Sequence, residues 1–162
     1  QKSIRGSDPD ATMFYLAKLL SAGELISVCR RLQVIASEDI GLAYPLAVTV
    51  TRAACESAKE LGMPEARFPL ANVAILLATA PKSNSSYMAI NEAMADVEEG
   101  KGRNIPKHLQ SPLYTGYRYP HDYPGHYVEQ QYLPDEIKDA KFYEPTEIGF
   151  EKQIKERLEN LK

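Results

Sequence analysis

Residues 117–132 constrain the fold more than any other stretch. They place five tyrosines, two histidines and two prolines in sixteen positions: Tyr117, Tyr119, Pro120, His121, Tyr123, Pro124, His126, Tyr127 and Tyr132 among them. Pro120 and Pro124, with Pro134 just beyond, forbid a continuous helix, because each proline lacks an N–H and clashes with the preceding turn. The stretch is also too aromatic for a solvated linker, since disordered segments are poor in aromatics. A long ordered loop satisfies both constraints. Its ring faces are expected to be buried on other elements, with the hydroxyls turned to polar partners or water. Six of the eleven prolines and seven of the ten tyrosines follow residue 105. Irregular structure is therefore expected from about 101 to about 146.

The chain before that point reads as helices. Ser7-Asp8-Pro9-Asp10 is a helix start: Ser7 or Asp8 caps, Pro9 suits the first turn, and Asp10 favours the positive end of the dipole. That helix runs through Met13, Phe14, Ala17 and Leu20 to Gly23. In the next, Leu25, Val28, Cys29, Leu32, Ile35 and Ala36 step by three and four. The segment 37–43 closes it as a turn, with Gly41 at positive φ. Pro45 opens a third helix ending at Gly62, whose many alanines suggest a central position. Pro64 starts a fourth, in which Pro69 either kinks the helix or marks the true start of an apolar segment from Leu70 to Ala80. Ser83 or Asn84 caps a fifth, with Tyr87, Ile90, Met94 and Val97 on one face. After the irregular segment a terminal helix over about 147–161 carries a narrow stripe of Phe150, Ile154, Leu158 and Leu161, with Glu151 and Lys155 spaced for an i,i+4 pair. The expected fold is all-α: a collar-like bundle of five to six helices over about 7–100, the Tyr/Pro-rich ordered loop, and a C-terminal docking helix, in one domain of 162 residues.

Composition narrows the function classes. The net charge of −3 gives no overall basic footprint, which argues against nucleic acid as the main partner. No apolar run approaches the roughly 20 residues of a membrane span, so no membrane partner is expected. Cys29 and Cys55 fall on apolar helical stripes and read as core thiols in a reducing compartment. The chain begins at Gln1 in structured-looking sequence, which suggests a portion of a longer protein.

No motif for a phosphate loop, HExxH, CxxC or GxSxG occurs, and Gly100-Lys101-Gly102 is too short to cradle a phosphate. His121 and His126 with Asp122 suggest either a metal cluster or, more plainly, histidines hydrogen-bonded within a tyrosine-rich loop. Lys101, Arg103, Lys107 and His108, with Arg118 nearby and tyrosines interleaved, have the composition of a strand-binding surface. The DNA-contact candidates are Arg103, Lys107 and Arg118. The bland alternative is a solvated loop with its tyrosines packed inward. The tyrosines Tyr117, Tyr119, Tyr123, Tyr127 and Tyr132 are equally candidates for a subunit interface, where Tyr and Arg are enriched.

Several longer stretches carry a resemblance. Lys2-Ser3-Ile4-Arg5-Gly6-Ser7-Asp8-Pro9-Asp10-Ala11, Ala36-Ser37-Glu38-Asp39-Ile40-Gly41-Leu42-Ala43, Ala80-Pro81-Lys82-Ser83-Asn84-Ser85, Tyr119-Pro120-His121-Asp122-Tyr123 and Gln130-Gln131-Tyr132-Leu133-Pro134 occur in that order. Together they resemble the C-terminal region of the replication-associated recombination protein A family, AAA+ ATPases related to clamp loaders and to the Werner helicase-interacting protein. The resemblance implies a non-catalytic, collar-like oligomerisation domain that assembles with itself as a homotetramer. It also implies a separate N-terminal core binding ATP and Mg, outside these residues. The whole protein would then act in the cytoplasm, at the nucleoid, on stalled forks, with links to DNA and to single-stranded-DNA-binding protein. No catalytic, cofactor or metal residue is carried over, because the family's ATPase motifs match nothing here. One departure stands out: only seven residues separate Leu109 from Tyr117, where the family has a longer, lysine-containing stretch.

Overall fold

The computed structural model describes residues 1–161. Among them are seven α-helices and no strand, so the fold is all-α. The helices are α1 (Lys2–Arg5), α2 (Pro9–Ser21), α3 (Leu25–Ile35), α4 (Ala47–Leu61), α5 (Arg67–Thr79), α6 (Ser85–Glu98) and α7 (Glu151–Asn160). The short α1 has no separate signal in the sequence, because Ser7-Asp8-Pro9 marks the start of α2 so strongly. Of the two cap candidates Asp8 is the one that caps: its Oδ1 accepts the Ala11 N–H at 2.8 Å. The expected turn after α3 is instead a π-helical turn, Ala36–Ile40, followed by a 3-10 turn, Gly41–Ala43. Gly41 has φ 51°, and a Cβ there would lie 2.6 Å from the Ser83 carbonyl oxygen, so only glycine lets the 80–85 loop close on this turn.

The fold separates into two compact units. The first is Gln1–Tyr87 with Pro145–Arg157, and the second is Met88–Glu144 with the chain from Leu158 on. In the first unit α5 takes the central position that the alanine content of α4 had suggested for α4. It packs on α1, α2 and α4, and buries Leu70, Val73, Ala74, Leu77 and Ala78. The reason is charge. After Arg67, α5 carries no ionised residue, whereas α4 presents Arg52, Glu56, Lys59 and Glu60 to solvent. Pro69 falls in the first turn of α5, where its missing N–H costs nothing. The core also takes Leu16 and Leu20 from α2, and Val28, Cys29, Leu32 and Ile35 from α3. Each such large side chain contributes about 1.5–3 kcal/mol on burial. Cys29 and Cys55 are free, buried thiols of this core, and burial beside Cys29 pushes the Cys55 thiol up to about 12.

α7 joins the first unit by its start. The Phe150 N–H donates to the Ala43 carbonyl at 2.9 Å. Glu151, the first residue of α7, is fully buried and accepts hydrogen bonds from Ser85 Oγ and from Thr146 Oγ1, the latter at 2.7 Å. The expected apolar stripe is not the anchor: Phe150 and Leu158 remain exposed. A carboxylate at a helix N-terminus, met by two hydroxyls, is held by the dipole as well as by its partners. Lys155 donates to Glu147 at 2.6 Å.

The second unit is of another kind. After most of α6, its residues 99–144 contain no α-helix, only four 3-10 turns: Lys107–Leu109, Pro120–Asp122, Pro124–His126 and Asp135–Ile137. The cis peptide bonds are Met63–Pro64 and Ser111–Pro112; Pro120, Pro124 and Pro134 are trans.

Candidate functional site

The aromatic loop is ordered by polar bonds to itself. Gln130 is the clamp: its Oε1 accepts the Arg118 N–H at 3.2 Å, and its Nε2 donates to the Arg118 carbonyl at 2.7 Å and to Tyr132 Oη at 2.8 Å. Arg118 closes the loop from within. Its Nη1 donates to the Glu129 carbonyl at 3.0 Å, and its guanidinium lies 5.2 Å from the centre of the Tyr123 ring. One step outward, His108 Nε2 donates to the Gln131 carbonyl at 2.7 Å. Gln130 has no signal in the sequence beyond its place in the family-like segment 130–134. A glutamine reaching twelve residues back is a tertiary fact.

The rings do not bury as expected. Tyr119, Tyr132, Tyr127 and Tyr117 are 53%, 49%, 40% and 38% exposed, and Tyr123 is half-buried. Only Val128 of this loop turns fully inward. The bonds that order the loop run between backbone, Gln130 and Arg118, so no helix face is needed to hold it, and the rings stay at the surface.

α6 repeats the pattern. Its predicted stripe of Tyr87, Ile90, Met94 and Val97 is open, at 41%, 57%, 50% and 68% exposure, and Ser85 is the one residue of this helix that is buried. Ile105 and Leu113, in the segment that follows, are exposed as well. An apolar face of this kind on a helix, in a chain that also exposes its loop tyrosines, has the composition of an interaction surface rather than of a catalytic cleft.

The basic run is mostly engaged. Lys101 Nζ pairs with Asp96 at 2.8 Å and with Glu99 at 2.7 Å, and these carboxylates raise its pKa above the ordinary lysine value. His108 and Arg118 are bonded as described. Arg103 and Lys107 are exposed. The structure therefore offers two open cations where the sequence suggested five basic groups. Among the described residues, no group of three or more His, Cys, Asp or Glu side chains is arranged to hold a metal ion.

The first unit has a polar cavity of about 420 Å³, where the segments 2–11, 36–43 and 80–85 meet. Arg5 Nε donates to Asp39 Oδ1 at 2.7 Å, and Glu38 lies within 3.5 Å of the same guanidinium. Lys82 donates to the Ala78 and Ala80 carbonyls, both at 2.9 Å, and to Ser7 Oγ at 2.8 Å, which satisfies the C-terminal end of α5. Partial burial lowers the Lys82 pKa. Two cations face two carboxylates, and all four are engaged within the fold. The cavity is thus a junction that ties the ends of α1, α5 and the π-turn together.

What the fold defines is an all-helical domain with an exposed apolar stripe on α6 and exposed tyrosines in the loop. Residues 6–162 match the family model described as MgsA AAA+ ATPase C terminal, and the chain belongs to that family. It is 49% identical to replication-associated recombination protein A of Bacillus subtilis, over 99% of this chain and 41% of that protein. It is 41% identical to the Haemophilus influenzae protein of the same name, over 99% of this chain and 39% of that one. A more distant relative is the ATPase WRNIP1 of Dictyostelium discoideum, 35% identical over 88% of this chain and 18% of that protein. The chain thus spans about two fifths of the length of these bacterial relatives and corresponds to the C-terminal domain of a AAA+ ATPase family. The Bacillus alignment runs over 171 positions against a chain of 162 residues, so it requires gaps in this chain.

No helix among the described residues is long and apolar enough to cross a membrane.

Proposed function

We propose that this domain is the non-catalytic oligomerisation module of a AAA+ ATPase acting in replication-associated recombination and repair, assembling with itself as a homotetramer. The observation that carries the reading is the open stripe of α6, with Ile90, Met94 and Val97 each half or more exposed along one helical face. Apolar area left in water costs about 25 cal/mol per Å², and a second copy of the same surface removes it. The exposed rings of Tyr117, Tyr119, Tyr127 and Tyr132 and the half-buried ring of Tyr123 supply the aromatic anchors that such interfaces favour. Assembly would hold the ATPase cores, which lie outside this chain and take ATP and Mg, at high effective concentration, so that one core can complete its neighbour's site. The setting that goes with this role is the bacterial cytoplasm at the nucleoid, near DNA and single-stranded-DNA-binding protein.

Light scattering after size exclusion tests it. The chain should elute as a stable species near four times its 18.1 kDa mass, and the double variant Ile90→Asp, Met94→Asp should fall to the single-chain mass with its helical circular dichroism retained. A wild-type monomer at all concentrations would sink the reading.

The second reading is a DNA- or partner-binding module resting on Arg103 and Lys107 with Arg118. Arg118 is engaged within its loop, which leaves few free cations for phosphate. Binding of forked or single-stranded DNA that falls steeply with salt would favour it.

A further inference from the structure

We propose that His121 and His126 form a two-imidazole chelate for a divalent transition metal, with copper(II) and nickel(II) preferred over zinc. The Nδ1 atoms of the two rings lie 2.9 Å apart. Metal–imidazole bonds are about 2.0–2.1 Å long, so two nitrogens at that separation subtend about 90° at a shared ion, whereas a tetrahedral ion would set them about 3.3 Å apart. Right-angled ligand pairs belong to square-planar and octahedral ions, and the affinity order of divalent metals places copper above zinc.

The backbone is bent to make this contact. Gly125 has φ 67° and His126 has φ 54°. A left-handed conformation is unfavourable at a residue with a Cβ, such as His126. Together the two residues fold the His126 ring back over His121, with ring centres 4.9 Å apart. Pro120 and Pro124 each open the 3-10 turn that carries a histidine, which fixes φ at the start of each turn. The Tyr119 ring lies against His121 in a tilted arrangement, with ring centres 5.1 Å apart. Gln130 and Arg118 hold the ends of the loop together. The two nitrogens are thus held close together before any ion arrives, which lowers the ordering cost of binding.

Without an ion, one Nδ1–H donates to the other ring's lone pair. Chelation needs a lone pair on both Nδ1 atoms, so the donor ring carries its proton on Nε2 instead, at an exposed edge. No net proton is released from the neutral pair. With no third metal-binding side chain grouped with the pair among the described residues, the remaining coordination positions go to water.

The test uses the tag-free chain in a non-coordinating buffer, titrated calorimetrically with nickel, copper and zinc chlorides. One saturable site per chain is expected, tighter for copper and nickel than for zinc. His121→Ala and His126→Ala should each weaken it by about tenfold or more. Both residues lie outside the α-helices, so circular dichroism should show the same helix content throughout. Substoichiometric nickel should broaden the ring resonances of His121 and His126 ahead of His108. No saturable site in the wild type, or affinity unchanged in either variant, overturns the proposal, as does broadening of all three histidines alike.

Discussion

The two units differ in composition, the second holding most of the tyrosines, and they are held together differently. In the first, helices bury their stripes in one another, and every buried apolar side chain among the described residues except Val128 lies there. In the second, α6 and the tyrosine loop carry comparable apolar material but expose it. What orders the loop is a set of directional bonds from Gln130, Arg118 and His108. Hydrophobic burial needs a facing surface, while a hydrogen-bonded loop needs only its own backbone. The second unit can therefore be well ordered and still have its rings and aliphatic stripe free for another molecule.

Substitutions can break or sharpen that contrast. The largest effect should come from Leu77→Ala in α5, where the side chain is fully buried. Chemical denaturation should register a loss of about 2–5 kcal/mol, against less than about 0.5 kcal/mol for Met94→Ala measured on the single-chain form. Equal losses at the two positions would erase the distinction. Glu151→Ala comes next. It strands the Ser85 and Thr146 hydroxyls at a buried site, and the expected cost is about 2 kcal/mol, with amide exchange at the start of α7 accelerating before that of α5.

Tyr123→Ala removes the ring beneath the Arg118 guanidinium. Denaturation of the single chain should shift by less than about 1 kcal/mol, while the dissociation constant of the assembly rises by about tenfold. Unchanged assembly in this folded variant would take Tyr123 out of the interface. The smallest effect belongs to Glu147, exposed, whose carboxyl is held below the usual range by its hydrogen bond to the Lys155 ammonium. Its contribution is present above the ordinary carboxylate pKa and fades as pH falls through the lowered value. Glu147→Gln should leave the acid melting temperature unchanged and slightly lower that at pH 7.

Much of the first unit was legible beforehand, for reasons that particular residues make plain. Asp8 and Pro9 announce the start of α2, Gly62 ends α4, and the Leu25–Ala36 stripe places α3, because caps and periodicity act over three or four residues. Gly41 was readable as a positive-φ position, although not that Ser83 would be what crowds it. The exposed aromatic surface was legible in composition and not in disposition. The same tyrosines were consistent with rings packed inward or facing a partner, since periodicity is lost in a loop broken by Pro120 and Pro124. The open state of α6 was equally hidden: a stripe of Tyr87, Ile90, Met94 and Val97 reads the same whether its partner is in the chain or outside it.

By itself, then, the amino-acid sequence determined the local matters: the helical class, the places where helices start and stop, the break after Gly102, and the family through the order of its long segments. Three things waited for the tertiary structure: α5 at the centre of the first unit, the buried Glu151 anchoring α7, and the meeting of the His121 and His126 nitrogens. Each depends on groups distant in sequence, or on a backbone bend that no pairwise spacing encodes. Such contacts are settled by which surfaces find each other once the local elements exist.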